Sequence, residues 1–272
     1  MANLLVNNLV LRPCHNLVKS VLSRRLCSNA VEHTNHENTS EYESHHNLYD
    51  AHIPTSTLQK VLLTLGSSVL SISNPYRHDM VAVLGETTGL KAAQQIRDKM
   101  MQDPEGISIL HDKPRISSSS LDYQFLESLP KGTLGHAYLA FLKDNNVTPD
   151  TRRPVHYVDD AEIAYVIQRY REVHDFNHTL LGMPTNLLGE VCVKWVEAIQ
   201  TGLPMCVAGA LLGPLRLSAK QRQKYLESYL QWSISCGQQA KFLMNIYFEK
   251  RWQQNLDDLR KELNIPELPQ DN

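Results

Sequence analysis

The chain has no C-x-x-C cysteine pair, no uninterrupted apolar run of membrane length and no excess of basic side chains, and from Met1 to Val31 it has no Asp or Glu. Each absence argues against a class of protein. The five cysteines, Cys14, Cys27, Cys192, Cys206 and Cys236, are scattered. A thiolate zinc site is therefore not expected, and the three cysteines beyond the first segment read as reduced thiols. The longest uncharged stretch, Ala198 to Leu215, is broken by Gln200, Thr201, Pro204 and Pro214. Its apolar part, Leu203 to Gly213, is shorter than the roughly 20 residues needed to cross hydrocarbon. It reads equally as a core helix, a tunnel wall or an element dipping into a membrane interface. With 27 basic against 29 acidic side chains, no basic stripe points to nucleic acid.

The acid-free segment carries Arg12, Lys19, Arg24 and Arg25 among Leu, Val, Ser and Asn. That composition is expected of a mitochondrial transit peptide, residues 1–30, cleaved just after Arg25-Leu26-Cys27-Ser28. A secretory signal would need a compact apolar segment. Residues 31–47, with His33, His36, His45 and His46, read as a disordered, solvated linker whose histidines bind metal only adventitiously.

From residue 48 the hydrophobic period is helical, and no alternating run demands a sheet. The expected fold class is all-α, one helical domain over 48–272 with antiparallel helices carrying the candidate site. A helix opening at Ile53-Pro54-Thr55 and reaching Ser71 puts Leu58, Val61, Leu62, Leu65 and Val69 on one face. Asn74-Pro75 breaks it. A second helix from Tyr76 is expected to bend at Gly85 to Gly89, resume to Met101 and stop at Asp103-Pro104. His111 to Ser120 is a loop. Helices follow over Asp122–Leu129 and from Thr133 through Phe141, with a loop from Asn145 to His156. Asp159 and Asp160 offer N-caps to a long helix over Ala161–Leu181. Gly182-Met183-Pro184 ends it, and the next helix covers Asn186–Thr201. Ser218 with Gln221 forms a capping box opening a helix through Tyr225, Tyr229, Trp232 and Cys236, with an interruption at Gly237. The C-terminus is expected to continue helically through Trp252, Leu256, Leu259 and Leu263 to Pro266.

The chemistry concentrates in the long helix. Its apolar stripe runs Ile163, Ile167, Tyr170, then His174 and His178, so both histidines continue the inward face. Asp175 lies about 100° round from His174, at the edge of that face. If the chain reverses at Pro184, Glu190 is as far beyond the turn as His178 is before it. His174, Asp175, His178 and Glu190 can then converge as two imidazoles and two carboxylates. Such a set suits zinc, iron or manganese and leaves a coordination position open. Innocent readings compete: core histidines, an Asp175–Arg171 pair on one helix face, and a Glu190 favoured in a first turn. H-D-x-x-H is not the H-E-x-x-H of a zinc protease. An HD-type phosphohydrolase would need further ligands that nothing in the sequence selects.

His174-Asp175-Phe176-Asn177-His178, followed after eleven residues by Glu190, resembles the signature of the coenzyme Q biosynthesis protein 4 family. Further resemblances lie at His52-Ile53-Pro54-Thr55, Asn74-Pro75-Tyr76-Arg77, Asp79-Met80-Val81-Ala82, Leu84-Gly85-Glu86, Gly132-Thr133-Leu134-Gly135 and Leu256 to Leu263. The resemblance implies a helical mitochondrial protein, peripheral on the matrix side of the inner membrane. It also implies association with other ubiquinone-biosynthesis enzymes in a multi-subunit complex, and a homo-oligomer is compatible with it. The implied activity is that of a carbon–carbon lyase, the 4-hydroxy-3-methoxy-5-polyprenylbenzoate decarboxylase, with a hydroxyl replacing the carboxylate at ring carbon one. The implied ligands of a divalent metal, commonly zinc with Fe(II) also compatible, are His174, Asp175, His178 and Glu190. Asp175 is alternatively a catalytic proton carrier. The competing reading is a non-catalytic lipid-binding scaffold of the same complex, with a structural metal.

Overall fold

In chain order the helices are α1 (Thr57–Ser73), α2 (His78–Thr88), α3 (Leu90–Met100), α4 (Pro104–Asp112), α5 (Tyr123–Ser128), α6 (Leu134–Asn145), α7 (Ala161–Leu181), α8 (Leu187–Thr201), α9 (Pro204–Leu212), α10 (Ala219–Lys224), α11 (Leu230–Gln239) and α12 (Leu256–Glu262). The structure, a computed structural model, describes residues 48–73, 77–151 and 153–269. The expected transit peptide 1–30, the expected linker 31–47 and the expected break at Asn74-Pro75 lie outside the described residues. The all-α expectation holds for the rest. Among the described residues there is no strand, only an isolated antiparallel bridge between Thr133 and Asn255.

The fold is organised round α7. Asp160 opens it by accepting the Glu162 and Ile163 N–H groups, and Gly182, at φ +62°, closes it. Its 21 residues make a rod about 31 Å long. Every residue from Ile163 to Leu181 is buried, so the helix has core on all sides, against α3, α6 and α8. Its buried charges are therefore paired. Arg169 meets Glu249, Arg171 meets Glu86 at 2.8 Å, and Glu172 meets Arg115 at 2.8 Å. Glu86 of α2 reaches Arg171 from outside the helix. On the far side from the histidines, Phe176 stacks on Tyr138 at 3.8 Å and on Phe248 at 4.6 Å. Each such contact adds about 0.5–1.5 kcal/mol beyond area burial.

Several elements differ from expectation. Helix α4 was hidden because Pro104 both stops α3 and starts a helix; at the first helical position its missing N–H costs nothing. Asp103 caps it, accepting from the N–H groups of Glu105 and Gly106. The break expected at Gly85 to Gly89 falls at Gly89: α2 runs past Gly85 to Thr88, and α3 resumes at Leu90. A Cβ on Gly85 would lie 2.6 Å from Met205 Sδ, so that glycine serves the close approach of α9. Gly237 does not interrupt α11; a Cβ there would crowd Ile199 at 2.9 Å. The C-terminal stretch is not one helix. It makes 3-10 turns at Leu243–Asn245 and Phe248–Lys250, then passes through Trp252 to α12. Packing of Phe248 and Trp252 on Phe176, with Trp252 at 5.6 Å, overrides the helical period there.

The apolar face of α1 is exposed. Leu58, Val61, Leu62, Leu65 and Val69 keep between 49 and 69 % of their surface. Val207, Leu211 and Leu212 of α9, with the following Leu215, are likewise exposed. The core-helix reading of the Leu203 to Leu217 stretch fails for these residues, though Leu203, Cys206 and Ala210 are buried.

Candidate metal centre

Two imidazoles and a carboxylate converge at the turn between α7 and α8. His174 and His178, one turn apart, bring their Nε2 atoms to 3.3 Å. The Gly182 cap reverses the chain, and Asn186 accepts the Gly189 N–H to start α8. A Cβ on Gly189 would stand 1.9 Å from the Pro184 carbonyl oxygen, so only glycine lets the new helix begin this close to the turn. The next residue, Glu190, directs Oε2 to His174 Nε2 at 3.5 Å and Oε1 to His178 Nε2 at 3.4 Å. The expected reversal thus brings Glu190 opposite both histidines. The imidazoles are buried, and Glu190 keeps 36 % side-chain exposure, so the site opens on that side.

Hydrogen bonding fixes what the three groups present. His174 Nδ1 faces the Glu197 carboxylate at 2.6 Å, and His178 Nδ1 faces the Met183 carbonyl at 3.0 Å. Both of these partners only accept, and the Lys194 ammonium stands farther from His174 Nδ1, at 3.4 Å, so the closer contacts place the proton on both Nδ1 atoms. The neutral rings then point two Nε2 lone pairs at each other and at a carboxylate, three acceptors with no donor among them. A proton or a cation must lie between them. The spacing suits a cation. With bonds of 2.0–2.1 Å to nitrogen and oxygen, a tetrahedral zinc spaces its ligand atoms about 3.3 Å apart. The observed edges are 3.3, 3.4 and 3.5 Å.

The electrostatics agree. Burial disfavours the His174 imidazolium most, yet the Glu197 and Glu190 carboxylates together hold its pKa above its usual value. Burial likewise opposes charge on Glu190, but hydrogen bonding to His174 and His178 holds its carboxyl well below the ordinary range. The region attracts positive charge.

His174, His178 and Glu190 form the group whose ligand atoms all lie within 4.8 Å of one another. Asp175 is buried beside His174, at 2 % exposure, and stands outside that group. Glu197 and Lys194 carry no expectation from the sequence. Their signal is the spacing Glu190, Lys194, Glu197, four and three residues apart on α8, which puts three charged groups on one helical face. Among the surface grooves, one of about 490 Å³ lined by Lys99, Gln200, Gln238 and Phe242 contains none of these residues.

The family model described as "Coenzyme Q (ubiquinone) biosynthesis protein Coq4" matches residues 49–269. The chain belongs to the Coq4 family. Relatives named "Ubiquinone biosynthesis protein COQ4 homolog, mitochondrial" include one from Danio rerio, 60 % identical over 222 residues, 82 % of each chain. The Homo sapiens relative is 57 % identical over 222 residues, 82 % of this chain and 84 % of that one. A crystal structure of a Nostoc punctiforme protein superposes with a TM-score of 0.60 at 22 % identity, covering 79 % of this chain and 100 % of that one. It shows the same fold. Membership in the Coq4 family gives this chain a role in coenzyme Q biosynthesis, among the machinery that makes ubiquinone, and its relatives are mitochondrial. No described helix of this Coq4-family protein is long and apolar enough to cross a membrane.

Proposed function

We propose that this Coq4-family protein is a metal-dependent enzyme acting on 4-hydroxy-3-methoxy-5-polyprenylbenzoate. The observation that carries this is the triangle of three acceptors, His174 Nε2, His178 Nε2 and Glu190, at tetrahedral ligand spacing with one side open. A bound divalent ion, zinc or Fe(II), would supply a Lewis acid for the substrate's carboxylate or phenolate oxygen and lower the phenol pKa. The bond from ring carbon one to the carboxylate breaks and a carbon–oxygen bond forms in its place. Two benzoic acids and one dioxygen then give two hydroquinones and two carbon dioxides.

The chain's own residues hold and orient. Glu197 and the Met183 carbonyl set the ring orientations of His174 and His178 from behind. Glu190 closes the triangle at the accessible side. Asp175 is proposed as a fourth ligand, or as the group that moves the proton. Metal content of Asp175→Asn separates the two: retained metal with lost turnover selects proton transfer, and loss of both selects ligation.

The same reading makes the protein peripheral on the matrix side of the inner membrane, in complex with other enzymes of the pathway. The exposed faces of α1 and α9 support the bilayer as occupant. Past α9, Arg216, Lys220 and Arg222 are exposed, and no acidic residue occurs from Ala198 to Leu226. That combination matches an anionic lipid surface.

The test is carbon dioxide release from a prenylated substrate by the purified chain, beside elemental analysis of wild type and His178→Ala. Stoichiometric metal that is lost in the variant, with carbon dioxide release, is the expected result. Bound metal without turnover would favour the lipid-binding scaffold. Equal sub-stoichiometric metal in both proteins would remove the centre altogether.

A further inference from the structure

Behind the ligand triangle lies a second carboxylate, Glu197, 2 % exposed. Its Oε1 accepts from His174 Nδ1 at 2.6 Å and from Asn177 Nδ2 at 3.0 Å. Its Oε2 accepts from the Tyr170 hydroxyl at 2.7 Å and from Lys194 Nζ at 2.7 Å. A carboxylate has about four lone-pair directions; these four donors match them, and the Cys206 thiol adds a longer contact to Oε2 at 3.7 Å. Tyr170, His174 and Asn177 sit at i, i+4 and i+7 on α7, so one helical face serves a single acceptor on α8. Lys194 also donates to the Tyr170 hydroxyl at 3.0 Å, which fixes the far oxygen from two sides.

Filling this space with a lysine and a glutamate is costly, since apolar side chains of similar volume often do as well or better for stability. The pair needs another reason, and its position supplies one. The two histidines are held differently: His178 by a neutral carbonyl, His174 by an anion that makes Nε2 the more basic donor.

We propose that Glu197 is a positioning residue for the metal centre. It accepts the hydrogen bond of His174 Nδ1–H, fixing the tautomer that turns Nε2 toward the ion, and Tyr170 with Asn177 holds the carboxylate in register. The role rests on the metal reading above.

The test uses the full chain as wild type, His178→Ala, Glu197→Gln, Lys194→Met and the double variant Glu197→Gln/Lys194→Met. The readouts are Zn(II) affinity, by competition with a chromophoric chelator, and the visible bands of the Co(II) form. In the single glutamine variant the new amide faces the Lys194 ammonium. The double variant removes that clash and keeps the test valid if the single one folds poorly. Zn(II) binding is expected to weaken about 10–100-fold in both glutamine variants, with shifted Co(II) bands. Lys194→Met should bind no more weakly than wild type, because it removes a cation near a dication. A glutamine variant within twofold of wild type, with unchanged Co(II) bands, would overturn the proposal and leave Glu197 a packing group. Wild type holding no more zinc than His178→Ala, which retains the histidine tract at 33–46, would overturn the metal reading and this role with it.

Discussion

Replacing Gly189 by alanine puts a methyl group where the preceding turn already has backbone. The new Cβ would sit 1.9 Å from the Pro184 oxygen and 3.0 Å from its carbonyl carbon. Non-bonded carbon and oxygen need more than 3 Å, so the first turn of α8 must move by about 1 Å or the turn must open. Metal–ligand distances tolerate only about 0.2 Å, and Glu190 is the next residue on that turn. Loss of groups that merely orient ligands costs about 10–100-fold in metal affinity. Removing a ligand should therefore cost at least about 100-fold, or about 2.8 kcal/mol at 1.4 kcal/mol per tenfold. Chelator competition measures this directly. Gly66→Ala is the control, since nothing lies within 4 Å of its Cβ and it sits inside α1; its affinity should match wild type. A Gly189→Ala protein that binds zinc within threefold of wild type would show that the Glu190 side chain absorbs the displacement. The claim that backbone packing at this glycine sets the ligand would then be wrong.

Glu86→Ala should destabilise the fold by about 3–5 kcal/mol, because it strands the buried Arg171 and removes the acceptor of the His156 and Tyr157 N–H groups; a urea midpoint within about 1 kcal/mol of wild type would contradict this. Exchanging Leu62 and Leu65 together for glutamine should leave stability within about 0.5 kcal/mol per site, since both are solvent-facing. The same pair should weaken sedimentation with anionic vesicles at least tenfold. Lost stability with unchanged vesicle binding would mean that the α1 face is covered within the protein.

The helices that hold the centre were legible because their boundaries are written in contiguous residues. Asp160 caps, Gly182 turns, Pro184 reverses and Asn186 caps again, and each acts within one turn of its own position. The shared inward face of His174 and His178 followed from periodicity, since both extend an apolar stripe. Glu197 did not follow. A carboxylate near the end of an amphipathic helix looks like a surface charge until its partner is known, and its partner His174 lies 23 residues earlier. The orientation of α1 was hidden for a related reason: period reveals that an apolar face exists, not what covers it. In the C-terminal stretch, local helical preference lost to the distant aromatic ring of Phe176.

The three facing acceptors have a further consequence for how the centre is loaded. Without an ion, the mutual repulsion of the two Nε2 lone pairs is relieved by a proton, and the raised His174 pKa says that this proton is held more tightly than on a free imidazole. Uptake of a divalent cation would therefore be an exchange, with a proton released. Below the folded His174 pKa the apparent affinity falls about tenfold for each pH unit. The centre thus couples its occupancy to local acidity, and heats of binding measured in buffers of different ionisation enthalpy would count the proton released.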